Sequence, residues 1–331
     1  MSQPHHAVRD DTEFADRTQR YRRELLAHCY RLLGSADDAE DMVQETYLRA
    51  WRSYGEFEGR SSVRTWLYQI ATNTCLTAMR HRARRPLPSG LGYPGDAPSP
   101  TIRADINWLQ PLPDALVTAE SGDPAAVAVS RESLRLALVA SLQYLPPRQR
   151  AVLILRDVLA FPAADVAEIL GTTTAAVKSS LQRARARLDD VAPAREHLTE
   201  PDDPVARALL DRYISAFENS DADGLRRLLR TDATLELPPS PVWFRGADAA
   251  KSAVAGLGSP GDWRMVATRA NGQPAAAAYG LGADGAYHGY GVVVLTVART
   301  VIAKITVFAD PDLLTRFGLP LVHAAVMSQE D

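Results

Sequence analysis

The residues with the clearest chemical meaning are cations set in two runs. Arg80, Arg82, Arg84 and Arg85 form the first and Lys178, Arg183, Arg185 and Arg187 the second, neither with an acid inside it. Helices that carry such patches supply what binding to a phosphate backbone requires. A solvated helix face is nevertheless the commoner origin of a charge run, so the neighbours must decide. Between Ala36 and Glu45 the balance reverses: Asp37, Asp38, Glu40, Asp41 and Glu45 stand without a base. Bond-making chemistry has much thinner support. His288 and Asp284 sit beside glycines in an expected hairpin and His323 lies in the tail, and none joins a further acid or base. Lone histidines of this kind are far more often satisfied surface residues than catalysts. Cys29 and Cys75 both fall in helix-like segments and offer neither a disulfide framework nor a metal spacing. The chemistry indicated is binding, with no catalytic residue, cofactor or metal expected.

These residues belong to a chain of 331 with Lys+Arg 37, Asp+Glu 40, a formal net charge of -3 and 46% hydrophobic residues, which describes a globular protein of two or three folding units. The opening segment lacks the apolar run of a signal peptide, and no stretch reaches the roughly 18 apolar residues needed to span a bilayer. A cytoplasmic protein without a membrane partner is expected. Clustered prolines and glycines divide it. We expect a helical block over 17–86, a Pro/Gly-rich linker over 87–125, a second helical block over 126–190, a unit of different texture over 204–318, and a tail over 319–331.

In the first block, Met42, Val43, Thr46, Tyr47, Ala50 and Trp51 recur at helical spacing and predict a buried stripe, with Trp51 and Trp66 as core residues. The opposite face carries Asp41, Gln44, Glu45, Leu48 and Arg52, an acidic surface with an exposed leucine that suits a protein partner. A second helix from about Ser62 runs through Trp66, Leu67 and Ile70 into the first arginine run and stops at Pro86. The loop between them, with Tyr54, Phe57 and two glycines, is suited to holding an unstacked base.

The second block contains the most specific local signal. Pro146 and Pro147 stop one helix and preset the next, which is expected over Gln149 to about Leu159. A short helix bearing Val166, Ala167 and Leu170 then meets Gly171, the residue a tight turn between crossed helices needs. Thr172 or Thr173 can cap the following helix, which is expected to bury Ala176, Val177, Leu181 and Ala184 and to present Thr174, Lys178, Ser179, Gln182, Arg183 and Arg185. Small hydroxyls and bases on one face favour a DNA-binding helix-turn-helix over an ordinary helical hairpin.

Asp41 to Trp51, Thr65 to Thr74, Leu145 to Val152 and Val166 to Gly171, in that order, resemble the motifs of the extracytoplasmic-function family of sigma-70 transcription initiation factors over about residues 17–190. The resemblance implies two all-α sigma domains, the second with the helix-turn-helix. It implies that Asp41, Gln44, Glu45 and Leu48 bind core RNA polymerase. Asn73 and Thr74, with Arg80, Arg82, Arg84 and Arg85, would contact minus-10 promoter DNA, and Thr174, Lys178, Ser179, Ser180 and Arg183 minus-35 DNA. Ser180 departs from the arginine common at its position, which leaves the minus-35 preference open. No catalysis and no cofactor are implied; the partners are core RNA polymerase and promoter DNA.

From Pro204 the pattern becomes two amphipathic helices, Val205 to Asn219 and Asp223 to Leu229, and then strands at 233–237, 265–269, 290–297 and 301–308, an α+β order. With Phe244 to Asp248 it resembles the SnoaL-like branch of the cone fold named after nuclear transport factor two. Such a domain at the end of a sigma factor implies regulation in cis, and its pocket adds an unidentified small molecule as a partner class. We expect residues 309–319 to form a docking strip, and the segment Asp105 to Asp114, with Trp108, to dock in a groove of polymerase or of the third unit or else to be a solvated tether. Two rivals accompany this reading: a one-component helix-turn-helix regulator with a ligand-binding cone, and an enzyme with a DNA-binding appendage.

Overall fold

The computed structural model describes residues 5–59, 61–81, 83–91, 94–95, 103, 105–117, 131–191, 204–248 and 258–323. The chain forms two compact units, one of Met1–Arg85 with Leu116–Pro193, the other of Pro86–Ala115 with Ala194–Asp331.

The first unit is all-α. Helices α1 (His5–Thr18), α2 (Arg22–Leu33), α3 (Ala36–Ser53) and α4 (Val63–Ala78) precede α5 (Leu136–Leu142), α6 (Pro147–Leu153), α7 (Ala163–Ile169) and α8 (Thr174–Val191). Local chemistry fixes their ends. Gly34 takes a left-handed conformation (φ 69°) to end α2, and Ser35 then caps α3 by accepting from the Asp38 amide at 3.1 Å. Ser62 caps α4 in the same way through Thr65 at 3.0 Å. The helix expected to about Leu159 is α-helical only to Leu153 and continues as a π-helical turn over Ile154–Val158. The expected boundary at residue 17 falls inside α1, whose Phe14 packs edge-on against Tyr47 and Tyr54.

Two expected core positions lie outside. Val43, Thr46 and Ala50 are buried on α3, but Trp51 is 53% exposed. The buried line runs from Val43 to Ala50, and Trp51, about 100° further round the helix, falls beside Leu48 instead. Trp66 is half-buried against Phe57 and Tyr54. On α8, Val177, Leu181 and Ala184 are buried at i, i+4 and i+7, while Ala176 is exposed.

The second unit is the expected α+β cone of the nuclear-transport-factor-two type. Helices α9 (Pro204–Glu218) and α10 (Ala222–Leu228) lead into β1 (Leu229–Glu236), β2 (Trp243–Arg245), β3 (Trp263–Ala270), β4 (Gln273–Leu281), β5 (Tyr287–Ala298) and β6 (Val301–Phe308), followed by α11 (Leu313–Arg316) and β7 (Val322–His323). The sheet order is β2-β1-β6-β5-β4-β3, with β7 on β5, and β1 and β6 run parallel while the other pairs are antiparallel. Leu209, Tyr213 and Leu225 of the helices pack on Met265, Ala276, Val293, Leu295 and Ile305 of the sheet. A bulge in β5, where Tyr290 is the extra residue opposite the step from Ala278 to Tyr279 of β4, helps curve the sheet.

Residues 86–115, which hold most of the expected linker, belong to this second unit. Leu87, Pro88, Leu109, Leu112 and Asp114 are buried, and Leu109 donates back to the Pro86 carbonyl at 3.1 Å. The segment Asp105 to Asp114 is therefore docked on the cone, not a solvated tether. Within residues 309–319, Leu313 and Leu314 are buried, Leu314 with Ala277 and Tyr279 of the cone, while Phe317 and Leu319 are half-buried.

Candidate nucleic-acid and partner interfaces

The outer face of α3 combines charge with apolar area. Asp41 and Gln44 are exposed, and Glu45 is half-buried and pairs with Arg49 at 2.6 Å. Beside them Leu48 is 51% and Trp51 53% exposed. A large leucine and a tryptophan side by side on a rigid helix make a small apolar anchor with an acidic rim, the composition of a protein-binding hot spot.

On α4 the two expected DNA residues have different fates. Asn73 is exposed, and its Nδ2 donates to the Ile169 carbonyl at 3.3 Å. Thr74 is 3% exposed and donates its hydroxyl to the Ile70 carbonyl at 2.8 Å, so Asn73 alone of the pair faces outward. Arg80 is exposed, Arg84 lies 4.1 Å over the Tyr144 ring, and Arg85 is half-buried and paired with Asp38 at 2.7 Å. Arg82 lies outside the described residues.

On α8, Thr174, Lys178, Ser179 and Arg183 are exposed and Ser180 is half-buried. Thr173 caps the helix by accepting from the Ala176 amide at 3.2 Å, which aims the first turn outward. Gly171 holds the turn before it at φ 56°. Arg185 is engaged as a fork on both oxygens of Asp157, at 2.8 and 2.7 Å, tying α8 to the π-helical turn.

Sequence reasoning missed a set of buried polar groups behind these faces. His28 is fully buried, its Nε2 at 2.9 Å from the Thr72 hydroxyl and its Nδ1 without a hydrogen-bond partner. Burial, reinforced by Arg31 and Arg64, pushes its pKa down to about 3. Arg31 binds the Ser133 hydroxyl through Nε and Nη2 at 3.2 and 2.7 Å. Arg150 donates to Gln143 Oε1 at 2.8 Å and to the carbonyls of Gln143, Leu145 and Leu32. Burial lowers both guanidinium pKa values to about 10. The only sequence signal for Arg150 is its place just before the apolar run Ala151 to Leu155, and His28 has none.

In the second unit buried side chains pin the linker, whose Gly95 and Arg103 amides also donate to the Trp243 and Pro239 carbonyls at 2.8 and 3.2 Å. Glu236, fully buried, accepts from the Ser89 amide at 3.2 Å and from Lys304 Nζ at 2.8 Å. Asn271 accepts from and donates to the backbone of Leu112, at 2.8 and 2.9 Å, and Asp114 accepts from the Gly272 amide at 2.8 Å. His288 and Asp284 do meet, at 2.9 Å, as an exposed pair, and that hydrogen bond holds the Asp284 carboxyl below its usual range. The recess lined by Arg212, Ser215, Asn219, Asp221 and Arg227 between α9 and α10 is an open polar groove.

Comparison with known proteins agrees with this layout. Residues 18–85 match the family model "Sigma-70 region 2" and residues 135–188 match "Sigma-70, region 4". A third match, "Acetyltransferase (GNAT) domain" over residues 175–301, starts in α8 of the first unit and ends in β6 of the second, so no single folded body corresponds to it. The chain is 51% identical over 314 residues to the ECF RNA polymerase sigma factor SigG of Mycobacterium tuberculosis, covering 93% of this chain and 84% of that one. It is 32% identical over 244 residues to SigJ of the same organism, covering 71% and 70%. The crystal structure of SigJ superposes with a TM-score of 0.57 at 27% identity over 91% of this chain and 97% of that chain. The chain therefore belongs to the extracytoplasmic-function family of sigma-70 RNA polymerase sigma factors.

Proposed function

We propose that the chain binds core RNA polymerase through the outer face of α3 and directs it to a two-element promoter in the cytoplasm. Asp41, Gln44, Glu45 and Leu48, joined by Trp51, form the polymerase-binding face. Asn73, Arg80, Arg82 and Arg84 take minus-10 DNA, with Thr74 and Arg85 buttressing that helix. Thr174, Lys178, Ser179, Ser180 and Arg183 take minus-35 DNA. The observation that carries the reading is the pairing of exposed Leu48 and Trp51 on an acidic helix, which suits a protein and would repel DNA. No bond-making step is assigned to the chain: it contributes binding energy and orientation. Run-off transcription with purified core polymerase tests it; no transcript from any genomic promoter library, with the protein folded, refutes it.

The cone regulates in cis by holding the linker. The segment 86–115 joins the two helical blocks, yet its buried residues and its pins at Glu236 and Asn271 belong to the cone. Linker length limits how far the two blocks can part, so a linker spent on the cone restrains them. Asn271→Ala, which removes the acceptor for Leu112, is expected to raise run-off transcription at least about threefold. Unchanged output from a folded variant removes this part of the reading. The open groove between α9 and α10 gives a small-molecule ligand no enclosed site, and regulation through the linker does not need one.

A further inference from the structure

Within the all-α unit, the two helical blocks touch in a way that imitates the ligand expected on α4. The amide of Asn73 donates to the carbonyl of Ile169, the last residue of α7, whose oxygen has no helical donor of its own. A base edge would offer the same amide an acceptor of the same kind. The guanidinium of Arg84 lies 4.1 Å over the Tyr144 ring, where a base would stack. In the same block Phe161, which is 4% exposed, packs against Tyr68 at 5.0 Å and lies beneath Arg64 at 4.7 Å. The carbonyl and the Tyr144 ring thus occupy two groups assigned above to minus-10 DNA, Asn73 on α4 and Arg84 just beyond its end.

We propose that in the free chain the helix-turn-helix block acts as an internal stand-in for the minus-10 strand, so that single-stranded DNA and the block compete for α4. This rests on the sigma-factor reading and adds a property of the free protein to it. The recognition face of α8 takes no part in the interface: Lys178, Ser179 and Arg183 stay exposed. In the free chain two of the groups assigned to single strands are thus engaged while the duplex-reading face stays open.

The same interface is built to release. Arg31 and Arg150 are buried there, and the groups that accept from them are neutral: a serine hydroxyl, a glutamine side chain and backbone carbonyls, with the Met79 sulfur at 3.6 Å from Arg150. A guanidinium held by neutral groups in a low dielectric regains hydration when the surface opens, which offsets part of the cost of exposing apolar side chains to water. A partner that holds the two blocks apart, as polymerase would, needs only to make up the remainder.

The test uses the full chain. Nitroxide labels on Thr77→Cys of α4 and Glu168→Cys of α7, both exposed positions, are read by electron paramagnetic resonance; the native Cys29 and Cys75 are buried. The free chain is expected to show one short label distance, which lengthens when core polymerase and a promoter fork are added. A long or broad distance in the free chain overturns the proposal, as does a short distance that persists in a transcribing complex. In parallel, Tyr144→Ala and Phe161→Leu should raise the affinity of the free chain for a minus-10 single strand at least about tenfold, and adding Asn73→Ala should cancel the gain. No gain in a folded variant also overturns it, and if a variant fails to fold the label distance decides. Failure of the parent reading is separate: it appears as absent run-off transcription, whatever the label distance.

Discussion

Helices α3 and α8 have the same length, 18 residues, and the same construction, yet the function proposed above gives them opposite partners. Each follows a left-handed glycine, Gly34 at φ 69° or Gly171 at φ 56°, and each is capped by a hydroxyl, Ser35 or Thr173. Each buries a narrow line at helical spacing: Val43, Thr46 and Ala50 on one, Val177, Leu181 and Ala184 on the other. The outward faces differ completely. On α3 large apolar side chains stand among carboxylates, and on α8 small hydroxyls stand among bases. Fold requirements use up the inner face, so the outer face alone carries information about the partner.

The largest effect should come from the apolar pair on α3. Leu48→Asp combined with Trp51→Ala is expected to weaken binding to core polymerase at least about thirtyfold, the size expected of hot-spot truncation. Biolayer interferometry checks this, with minus-35 duplex binding unchanged as the control. Equal loss on both assays would mean the double variant is misfolded and would break the contrast between the helices. Next, Lys178→Ala and Arg183→Ala on α8 should each cost about 1–3 kcal/mol of duplex affinity where they touch a base, or lower the salt slope by about one where they touch a phosphate. Their binding to polymerase should stay as it was.

Acid should weaken the block behind α3. His28, on α2, has a folded pKa of about 3 against an unfolded value of 6.5. The unfolded chain takes up a proton below pH 6.5 that the native chain refuses, so stability falls as pH drops through that window toward 3. The slope is about 1.4 kcal/mol per pH unit from this group alone. Thermal melts between pH 7 and pH 5 should show a shallower fall for His28→Gln than for the wild type, since glutamine has no proton to gain. Parallel slopes would mean that His28 is solvated.

Much of this was legible in the sequence. The turn chemistry around Gly171 and Thr173, the buried line of α8 and the exposed Leu48 follow from residue type and spacing. Trp51 did not, because a tryptophan at the flank of an apolar stripe satisfies the periodic pattern whether it turns in or out. The strand β4 was missed because Ala275, Ala276, Ala277 and Ala278 have weak strand preference, and only their burial in mid-sheet makes them a strand. Asn271-Gly272, a hairpin signal that joins β3 to β4, was there to find it. The docking of the linker depends on pairings such as Ser89 with Glu236, which are remote in sequence and leave no local pattern. Asn73 was recognisable as a polar group on α4, but its engagement by Ile169 is a tertiary fact of the same kind.

The smallest effect isolates the turn that aims α8. A Cβ at Gly171 would meet nothing within 4 Å, so Gly171→Ala adds no clash, and its whole cost is the left-handed backbone, about 1 kcal/mol. Thr173→Ala removes one cap and should cost a similar amount. Because both act on how the first turn is held and neither touches the outer face, each should lower thermal stability by a few degrees and leave the salt slope of duplex binding unchanged. A changed salt slope in Gly171→Ala would mean that the turn itself meets phosphate, and would extend the surface of α8 proposed to face DNA back through the residues that precede it.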